Sequence, residues 1–287
     1  MMRKWTLACV LLGLSMVAQA KDVRFLSWNV FMLPKPIKYS LQVTRTKHII
    51  QELKRVPHDI VLLQEAFDEG FKGRVRSDLK EAFPHQYYLP KEYILYPVMG
   101  SGVYVLSKLP FEILGSTYFN ACGSADCLAS KGALLLEFTL PSGEEFQIAT
   151  THLQSDAYYA HTRVSQLLQI KQLFREHLKA LVPQLLIGDL NVNADDGEFR
   201  SVQALMQMDA FGLRGDLKHT FGFKNECYPT EWGKLEWIDH ALIDSQGPLL
   251  QSTDLKVVQF EFETKSKKKC ALSDHHAIEG EIRVAGI

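Results

Sequence analysis

The sequence predicts an α/β (α+β) fold in which sheets pack on each other and helices lie outside. Short apolar runs rich in β-branched and aromatic residues recur along the chain, and several of them alternate apolar with polar residues. Such alternation is typical of strands that have one covered face. A few helical patterns interrupt these runs at irregular intervals, which favours packed sheets with outer helices.

The individual elements follow from these periodicities. The clearest helix is predicted over His161–Leu181, where apolar residues recur at three- and four-residue spacing. A second helix is predicted over Thr44–Arg55 and is stopped by Pro57. The predicted strands are Val23–Trp28, Ile60–Gln64, Gly102–Ser107, Ala133–Thr139, Phe146–Thr151, Leu185–Gly188, Trp237–Ile243, Leu255–Phe262 and Ala277–Val284.

The amino terminus carries the parts of a secretory signal peptide. Arg3 and Lys4 precede the apolar run Trp5–Ala18, and Ala18-Gln19-Ala20 stands before Lys21. A membrane anchor is the alternative, but a spanning helix needs about 20 apolar residues and this run is shorter. We therefore predict a signal peptide over residues 1–20 with cleavage near Ala20, and a secreted or periplasmic protein.

The remaining residues, 21–287, are expected to form a single domain. They contain no internal repeat, no low-complexity tract and no linker that would separate two domains. The formal net charge of −1 provides no general attraction to nucleic acid, for which a strongly basic balance would be expected.

Four cysteines remain after removal of the signal peptide. An even number of cysteines in an exported protein predicts disulfides, with free buried thiols as the alternative. Pairing Cys122 with Cys127 would close a tight loop, and pairing Cys227 with Cys270 a long one. The sequence alone leaves this pairing open.

Polar side chains with metal-binding or acid–base chemistry stand at or beside the ends of the predicted strands. A single such residue is usually a cap or turn former, but a set of them in one chain predicts a site, because sheets gather strand ends at one rim. The set comprises Asn29, Glu65, His152, Asp189, Asn191, Asp239, Asp274 and His275.

The chemistry of this set favours metal-assisted hydrolysis of a phosphate ester. Asn, Asp and Glu oxygens are hard ligands that fit Mg²⁺, Mn²⁺ or Ca²⁺ better than zinc. His152 and His275 could donate to a phosphoryl oxygen or relay a proton near neutral pH. Zinc is disfavoured because the sequence has no HExxH and no matching Cys and His pairs, and a serine triad is disfavoured because no G-x-S-x-G occurs.

Four motifs in order resemble the endonuclease/exonuclease/phosphatase superfamily, typified by deoxyribonuclease I and exonuclease III. They are "QEAFD", "TTHLQ", "IGDLNV" and "LSDHHA", and the resemblance runs from about Val23 to the end of the chain. It implies a deoxyribonuclease I-like four-layer α/β/β/α sandwich, with two mixed sheets face to face and helices outside.

Within that superfamily, further motifs resemble the secreted bacterial neutral sphingomyelinases (sphingomyelinase C). These motifs are "NVFMLP" at Asn29–Pro34, the Phe-Asp after Glu65, "THLQSD" at Thr151–Asp156, "RVSQLLQI" at Arg163–Ile170 and "LASKG" at Leu128–Gly132. The resemblance implies a monomeric Mg²⁺-dependent phosphodiesterase, with Mn²⁺ or Co²⁺ as substitutes. The resemblance further implies that the substrate is sphingomyelin or a related choline phospholipid at a membrane surface, with no stable nucleic-acid partner.

The resemblance also implies which residues bind the metal and the phosphate. Glu65 is expected to be the principal metal ligand, with Asn29 beside it. Asp274 is expected to face the metal or the phosphate. Asp189 and Asn191 are expected to contact the metal-bound phosphate and water, with Asp189 helping the leaving oxygen.

The acid–base roles are implied in the same way. His152 is expected to stabilise the charge that develops on the phosphoryl group, and His275 to be the general base, held by Asp239. Lys131 is a candidate for binding the substrate, with a solvated loop lysine as the alternative. His276 has no matching role.

The sequence departs from the sphingomyelinase pattern in two places. Asp239 lies in "WIDHAL" where the family usually has Leu-Asp-Tyr. The aromatic hairpin of secreted haemolytic sphingomyelinases is replaced by Gln259–Phe262 and then "KSKKK". Phe260 and Phe262 are still expected to be able to touch lipid, and the lysines to favour an anionic surface, with a solvated loop as the alternative.

Two other functions would use the same fold. An exported metal-dependent nuclease would keep every metal and acid–base residue. A catalytically silent lipid- or host-binding module would have no need for them, so the retained set favours an enzyme.

Overall fold

The computed structural model describes residues 22–92, 98–228, 230, 233–244, 250–252 and 254–284, so the predicted signal peptide lies outside the described residues. The α-helices found there are α1 (Gln42–Arg55), α2 (Glu69–Asp78), α3 (Ala160–Glu176) and α4 (Gly197–Met206). The strands are β1 (Asp22–Asn29), β2 (Ile60–Gln64), β3 (His85–Tyr88), β4 (Tyr104–Ser107), β5 (Phe111–Tyr118), β6 (Gly132–Thr139), β7 (Glu145–His152), β8 (Gln184–Asp189), β9 (Met208–Ala210), β10 (Leu213–Arg214), β11 (Asp239–Asp244), β12 (Leu250–Ser252), β13 (Leu255–Val258), β14 (Glu261–Glu263), β15 (Lys269–Ala271) and β16 (Ala277–Val284).

The described strands form two mixed sheets and a separate hairpin. The first sheet has the order β10-β13-β16-β1-β2-β4-β3, with β12 also paired to β16. The second has the order β5-β6-β7-β8-β11-β9, and β14 pairs only with β15 in the described part of the chain. Both sheets contain a parallel pair, β1 with β2 and β7 with β8, whose carboxyl ends point to the same edge of their sheet.

Alternation along the strands explains the layers. In β1, Phe25 belongs to an apolar cluster shared with the second sheet, whereas Leu26 and Trp28 belong to a cluster shared with α1 and α2. In β6, Leu134 faces the first of these clusters and Leu135 packs with residues of α3 and α4. The two sheets therefore meet face to face with helices on both outer faces. This arrangement confirms the predicted α/β/β/α sandwich.

Some predicted boundaries were wrong. The helix predicted to Leu181 ends at Glu176, and Leu178 and Leu181 beyond it are exposed. The strand predicted from Trp237 begins at Asp239, because the Trp237 N–H donates to the Asn193 side chain rather than to a neighbouring strand.

The segment predicted as one strand over Leu255–Phe262 is divided between β13 and the β14–β15 hairpin. The aromatic residues expected to be able to touch lipid pack against the protein. Phe262 is buried and stacks on His48 with ring centroids 4.9 Å apart, and the partly buried Phe260 packs on Trp28 at 4.8 Å. The lysines of "KSKKK" are exposed around the hairpin turn.

Both cysteine pairs form disulfides. Cys122 bonds to Cys127 and Cys227 to Cys270, with Cα–Cα distances of 5.2 and 5.6 Å. The prediction of disulfides is confirmed, and the alternative of free thiols is excluded. Across the described residues, the structure has no helix long and apolar enough to cross a bilayer.

Candidate active site

Strand register brings three of the predicted residues into one row. His152 and Asp189 end the parallel strands β7 and β8 and lie opposite each other, and Asp239 opens the antiparallel strand β11 directly opposite Asp189. Two of these strands end where the third begins, so all three side chains lie at the same rim of the second sheet.

The first sheet supplies the rest of the site from the facing rim. Asn29 ends β1, and its Nδ2 atom donates to Asp189 Oδ2 at 3.0 Å across the gap between the sheets. Asp274 and His275 lie just before β16, which pairs with β1. The Ser273 hydroxyl donates to the Asn29 carbonyl at 2.6 Å and thereby ties these two segments together.

His275 is the centre of an imidazole–carboxylate pair. Its Nδ1 atom lies 2.9 Å from Asp239 Oδ2, and its Nε2 atom lies 3.8 Å from Asp189 Oδ2. Burial alone would lower the pKa of His275, but Asp239 and then Asp189 raise it to about 10. The two carboxylates therefore favour the imidazolium form of His275, and Asp239 fixes which nitrogen faces Asp189.

Glu65 provides a carboxylate with a free oxygen. Its Oε1 atom accepts from Asn29 Nδ2 at 3.1 Å, whereas the Oε2 atom is shielded from solvent and has no hydrogen-bond partner among the described residues. The Glu65 backbone has a φ of 53°, a conformation that is uncommon outside glycine and often found at functional sites. Burial, and next the Asp274 carboxylate, raise the pKa of Glu65 to about 7.

The donor set around Glu65 fits a hard divalent cation. Asp274 is buried, and burial raises its pKa above the ordinary value, so burial opposes the ionised form of both carboxylates. An oxygen without a partner beside a second acid is suited to coordinating Mg²⁺. Asn29 is oriented with its amide nitrogen toward Glu65, because its oxygen accepts from the Phe31 N–H at 3.1 Å.

A second set of possible cation ligands lies near Glu65 and Asp274. Asp189, Asp239 and His275 bring one ligand atom each within 4.8 Å of one another and could also hold a cation. We consider Glu65 with Asp274 the better cation site, because the charges around His275 favour a proton on its ring and a protonated imidazole repels a cation.

Lys131 is buried against His152 rather than solvated. Its Nζ atom donates to Asp126 Oδ2 at 2.7 Å and to the Leu153 carbonyl at 2.8 Å, and it lies 3.1 Å from His152 Nε2. The alternative of a solvated loop lysine is therefore wrong. Burial, together with the Lys131 charge, lowers the pKa of His152 to about 3, so this imidazole is neutral at pH 7.

Asn191 occupies a tight turn after β8. Its backbone has a φ of 52°, its N–H donates to Asp189 Oδ1 at 3.0 Å, and its Nδ2 atom donates to the Leu153 carbonyl at 3.0 Å. The turn "GDLN" therefore orients Asp189 and presents Asn191 beside it.

A cavity of about 600 Å³ joins these groups. Its walls include Glu65, Lys131, His152, Asp189, Asn191, Asp274 and His275. Asn29 and Asp239 are fully buried and act from behind the wall. His276 lies outside the cluster, because its ring stacks on Phe223 with centroids 3.9 Å apart.

Sequence reasoning missed two charged residues near the site. Asp126 lies five residues before Lys131 in the disulfide-closed loop, a spacing that has no signal of its own. Arg45 is fully buried and donates to the Val30 carbonyl, next to Asn29, and to the Leu272 carbonyl, two residues before Asp274. Its position on the apolar stripe of α1, with Ile49 and Leu53, was a readable signal that this arginine is not a surface residue.

The comparisons with known proteins concern the family and the fold. The sequence profile of the endonuclease/exonuclease/phosphatase family matches residues 26–275. Sphingomyelinase C of Listeria ivanovii is 24% identical over 250 residues, which cover 78% of this chain and 73% of that protein. Sphingomyelinase C 2 of Leptospira interrogans is 26% identical over 199 residues, which cover 62% of this chain and 32% of that protein. The chain thus matches only about a third of the Leptospira relative's length.

A solved structure extends the likeness to the fold. A mutant of the beta toxin of Staphylococcus aureus, crystallised with bound magnesium ions, superposes with a TM-score of 0.77 at 22% identity and covers 91% of this chain and 99% of that one. At this identity the likeness concerns the fold. The family match, in contrast, spans the strand ends from Asn29 to His275, and the chain belongs to the endonuclease/exonuclease/phosphatase family.

Proposed function

We propose that this protein is an exported Mg²⁺-dependent phosphodiesterase that hydrolyses sphingomyelin, or a related choline phospholipid, to release phosphocholine. One observation carries the proposal. A single cavity is lined by His275, which Asp239 holds from behind the wall and directs at Asp189. The same cavity is lined by Glu65, whose buried Oε2 atom has no hydrogen-bond partner in the described part of the chain. A proton acceptor next to a cation site is the arrangement that hydrolysis of a phosphodiester requires.

In this proposal Glu65 and Asp274 hold the cation. When bound, Mg²⁺ offsets the carboxylate charges and withdraws electron density from the phosphoryl group. Asn29 holds Glu65 and Asp189 in register through its two amide hydrogen bonds. Asn191 donates to the substrate beside Asp189.

The two histidines have different protonation tasks. His275 would act in its neutral form, which a cation held by Glu65 and Asp274 would favour by repelling the imidazolium charge. The neutral ring would accept the proton of the attacking water at Nε2, while Asp239 accepts the Nδ1–H bond and stabilises the resulting imidazolium. His152, which is neutral, lies between Lys131 and Asp189 and is placed to stabilise charge that develops on the phosphoryl oxygens. Asp189 assists the leaving oxygen.

The substrate class is supported by the names of the similar proteins and by the motifs "NVFMLP" and "LASKG". Magnesium is supported by the oxygen donors around Glu65 and by the ions bound in the beta toxin structure. Export is supported by the signal-like residues 1–20 and by two disulfides, which persist in oxidising compartments. We propose a monomer that has no stable nucleic-acid partner.

One comparison tests the function. The purified protein is assayed with Mg²⁺ on sphingomyelin, phosphatidylcholine and plasmid DNA, in parallel with His275→Ala and with His161→Ala as a control at an exposed histidine. We expect phosphocholine release that EDTA and His275→Ala abolish and that His161→Ala leaves intact. DNA nicking without phosphocholine release would identify a nuclease and refute the proposal.

A further inference from the structure

Arg45 is a buried cation in an otherwise apolar position. It lies on the inner face of α1, in line with Ile49 and Leu53, and its side chain is 0% exposed. A charge in such a position is costly unless its hydrogen-bonding groups are satisfied. Within the described residues no carboxylate lies within ion-pair distance of its guanidinium, so packing of the helix alone does not explain why an arginine stands here.

The guanidinium donates to neutral oxygens from three separate segments. Its Nε atom donates to the Leu272 carbonyl at 2.9 Å, and its Nη2 atom donates to the Val30 carbonyl. Its Nη1 group donates to the Phe31 carbonyl and to the Ser40 hydroxyl, both at 2.8 Å. A planar fork with five N–H groups can join several acceptors at fixed angles, which a lysine cannot do.

Two of these segments carry the candidate catalytic residues. Val30 and Phe31 follow Asn29 directly, and Leu272 is two residues before Asp274. The Phe31 N–H also donates to the Asn29 side-chain oxygen. A shift of the backbone at Val30 and Phe31 would therefore move the Asn29 amide group, which donates to Glu65 and Asp189.

The surroundings hold the guanidinium itself in place. Its central carbon lies 4.8 Å from the Tyr228 ring centroid and 5.6 Å from that of Phe31. The Tyr228 hydroxyl donates to the Ala271 carbonyl at 2.9 Å, so the cation and the ring that it packs on bind consecutive carbonyls of one segment. The positive charge of Arg45 also favours the ionised form of Asp274.

We propose that Arg45 is a positioning residue that fixes the Asn29 segment and the Asp274–His275 segment in one register across the cavity. Its consequence for catalysis rests on the proposed function, but the contacts themselves do not. Arg45 touches no reacting group. It acts through the backbone of the two segments, so that cation ligands and the proton acceptor are aligned before substrate binds.

The test compares Arg45→Lys with Leu53→Ala, a variant of the same helix and apolar cluster whose side chain makes no hydrogen bond to either segment. Amide hydrogen exchange is measured over residues 29–33 and 271–276, and Mg²⁺ affinity by calorimetry. For Arg45→Lys we expect exchange in both segments to accelerate at least about tenfold, Mg²⁺ affinity to fall about tenfold, and kcat/KM to fall about 100-fold, chiefly through kcat. Leu53→Ala is expected to lower the Tm with none of these local changes.

If Arg45→Lys matches Leu53→Ala in every readout, Arg45 is only structural and the proposal is overturned. Ser40→Ala removes one acceptor and keeps the cation, so it replaces Arg45→Lys if that variant does not fold. We expect smaller changes in the same direction, and unchanged exchange and affinity would also overturn the proposal. Should the unmutated protein neither bind Mg²⁺ nor release phosphocholine, the proposed function fails, while hydrogen exchange still decides the role of Arg45.

Discussion

At the scale of single residues, the surroundings of the Glu65 carboxylate favour cation binding at the expense of the stability of the folded protein. Its buried Oε2 atom meets no hydrogen-bond partner among the residues that the structure describes, and the charge of Asp274 opposes its ionisation. We expect Glu65→Gln to abolish the thermal stabilisation that Mg²⁺ gives and to lower phosphodiesterase activity by about 1000-fold or more. The Tm of the cation-free protein should stay the same or rise, because a buried charge that Asp274 repels is removed.

Scanning calorimetry with and without Mg²⁺ checks this prediction. Glu81→Gln, at an exposed glutamate, provides the control and should leave the Mg²⁺-dependent shift in Tm unchanged. A Glu65→Gln protein that is still stabilised by Mg²⁺ would show that the cation binds elsewhere, for example at Asp189 and Asp239.

The sequence allowed the strand-end residues to be found, because a polar side chain that follows an apolar run is visible without a structure. His152 and Asp189 are of this kind. Arg45 and Asp126 are not, since their importance depends on which backbone carbonyls and side chains meet them after folding. The orientation of the Asn29 amide was equally hidden, because it is set by the φ of 49° at Phe31 and by the hydrogen bond from its N–H.

At the scale of elements, the contact between β7 and β8 fixes the distance between His152 and Asp189. Gly188 lies where these strands approach so closely that a Cβ atom would overlap the Thr151 carbonyl oxygen. We expect Gly188→Ala to destabilise the protein by about 1–3 kcal/mol, because the backbone must shift to accommodate the methyl group. Activity should fall at least about tenfold, since the shift moves Asp189 relative to His152.

Urea unfolding and the phospholipid assay measure both effects. Gly73→Ala is the matched control, because a Cβ atom there meets nothing within 4 Å and alanine favours the helix. If Gly188→Ala were as stable and active as Gly73→Ala, close packing of these strands would not determine the site geometry.

A second element-scale prediction concerns pH. Glu137 of β6 is buried and accepts from Lys179 Nζ at 2.5 Å and from Gln147 Nε2 at 2.9 Å. Burial alone would raise the pKa of Glu137, but the bonds from Lys179 and Gln147 outweigh it and lower this pKa below 4.5. The folded protein therefore binds this proton more weakly than the unfolded chain, and the stabilisation is present above pH 4.5 and lost as the pH falls.

The Glu137→Gln variant tests the direction of this pH dependence. We expect it to lower the free energy of unfolding by about 1 kcal/mol at pH 7, and the difference from the unmutated protein to shrink toward pH 3. Glu145→Gln, whose carboxylate lies 3.6 Å from the same lysine in a more exposed position, should have little effect at either pH. A difference that grows as the pH falls would contradict the prediction.

Elements with strong apolar periodicity were predictable, and those without it were not. The buried strands β6 to β8 were found from their apolar runs. The edge strand β5 was missed, because most of its residues are partly exposed and its sequence lacks a continuous apolar run. Helix α2 was missed because its sequence is mostly polar and contains Gly70 and Gly73. Its start depends on a cap, in which Asp68 accepts from the Phe71 N–H.

At the scale of the whole molecule, the site exists because two sheets contribute opposite halves of it. The second sheet provides His152, Asp189 and Asp239 in strand register, and the first provides Asn29 and the segment before β16. No stretch of sequence contains both halves, so order along the chain could suggest the set but not the pairing of residues across the gap. That pairing follows from the shared core between the sheets.

The Cys227–Cys270 disulfide adds a covalent constraint outside the apolar cluster between the two sheets. It joins residues separated by 43 positions and anchors the chain just before the Asp274–His275 segment. By the chain-entropy model, replacing both cysteines with serine should cost about 4 kcal/mol, against about 2 kcal/mol for Cys122 with Cys127, which are separated by 5 positions. Urea unfolding of the two double variants measures the difference. We also expect the Cys227–Cys270 variant alone to show faster hydrogen exchange over residues 271–276. Equal losses of stability in the two variants would mean that loop length does not govern the stabilisation.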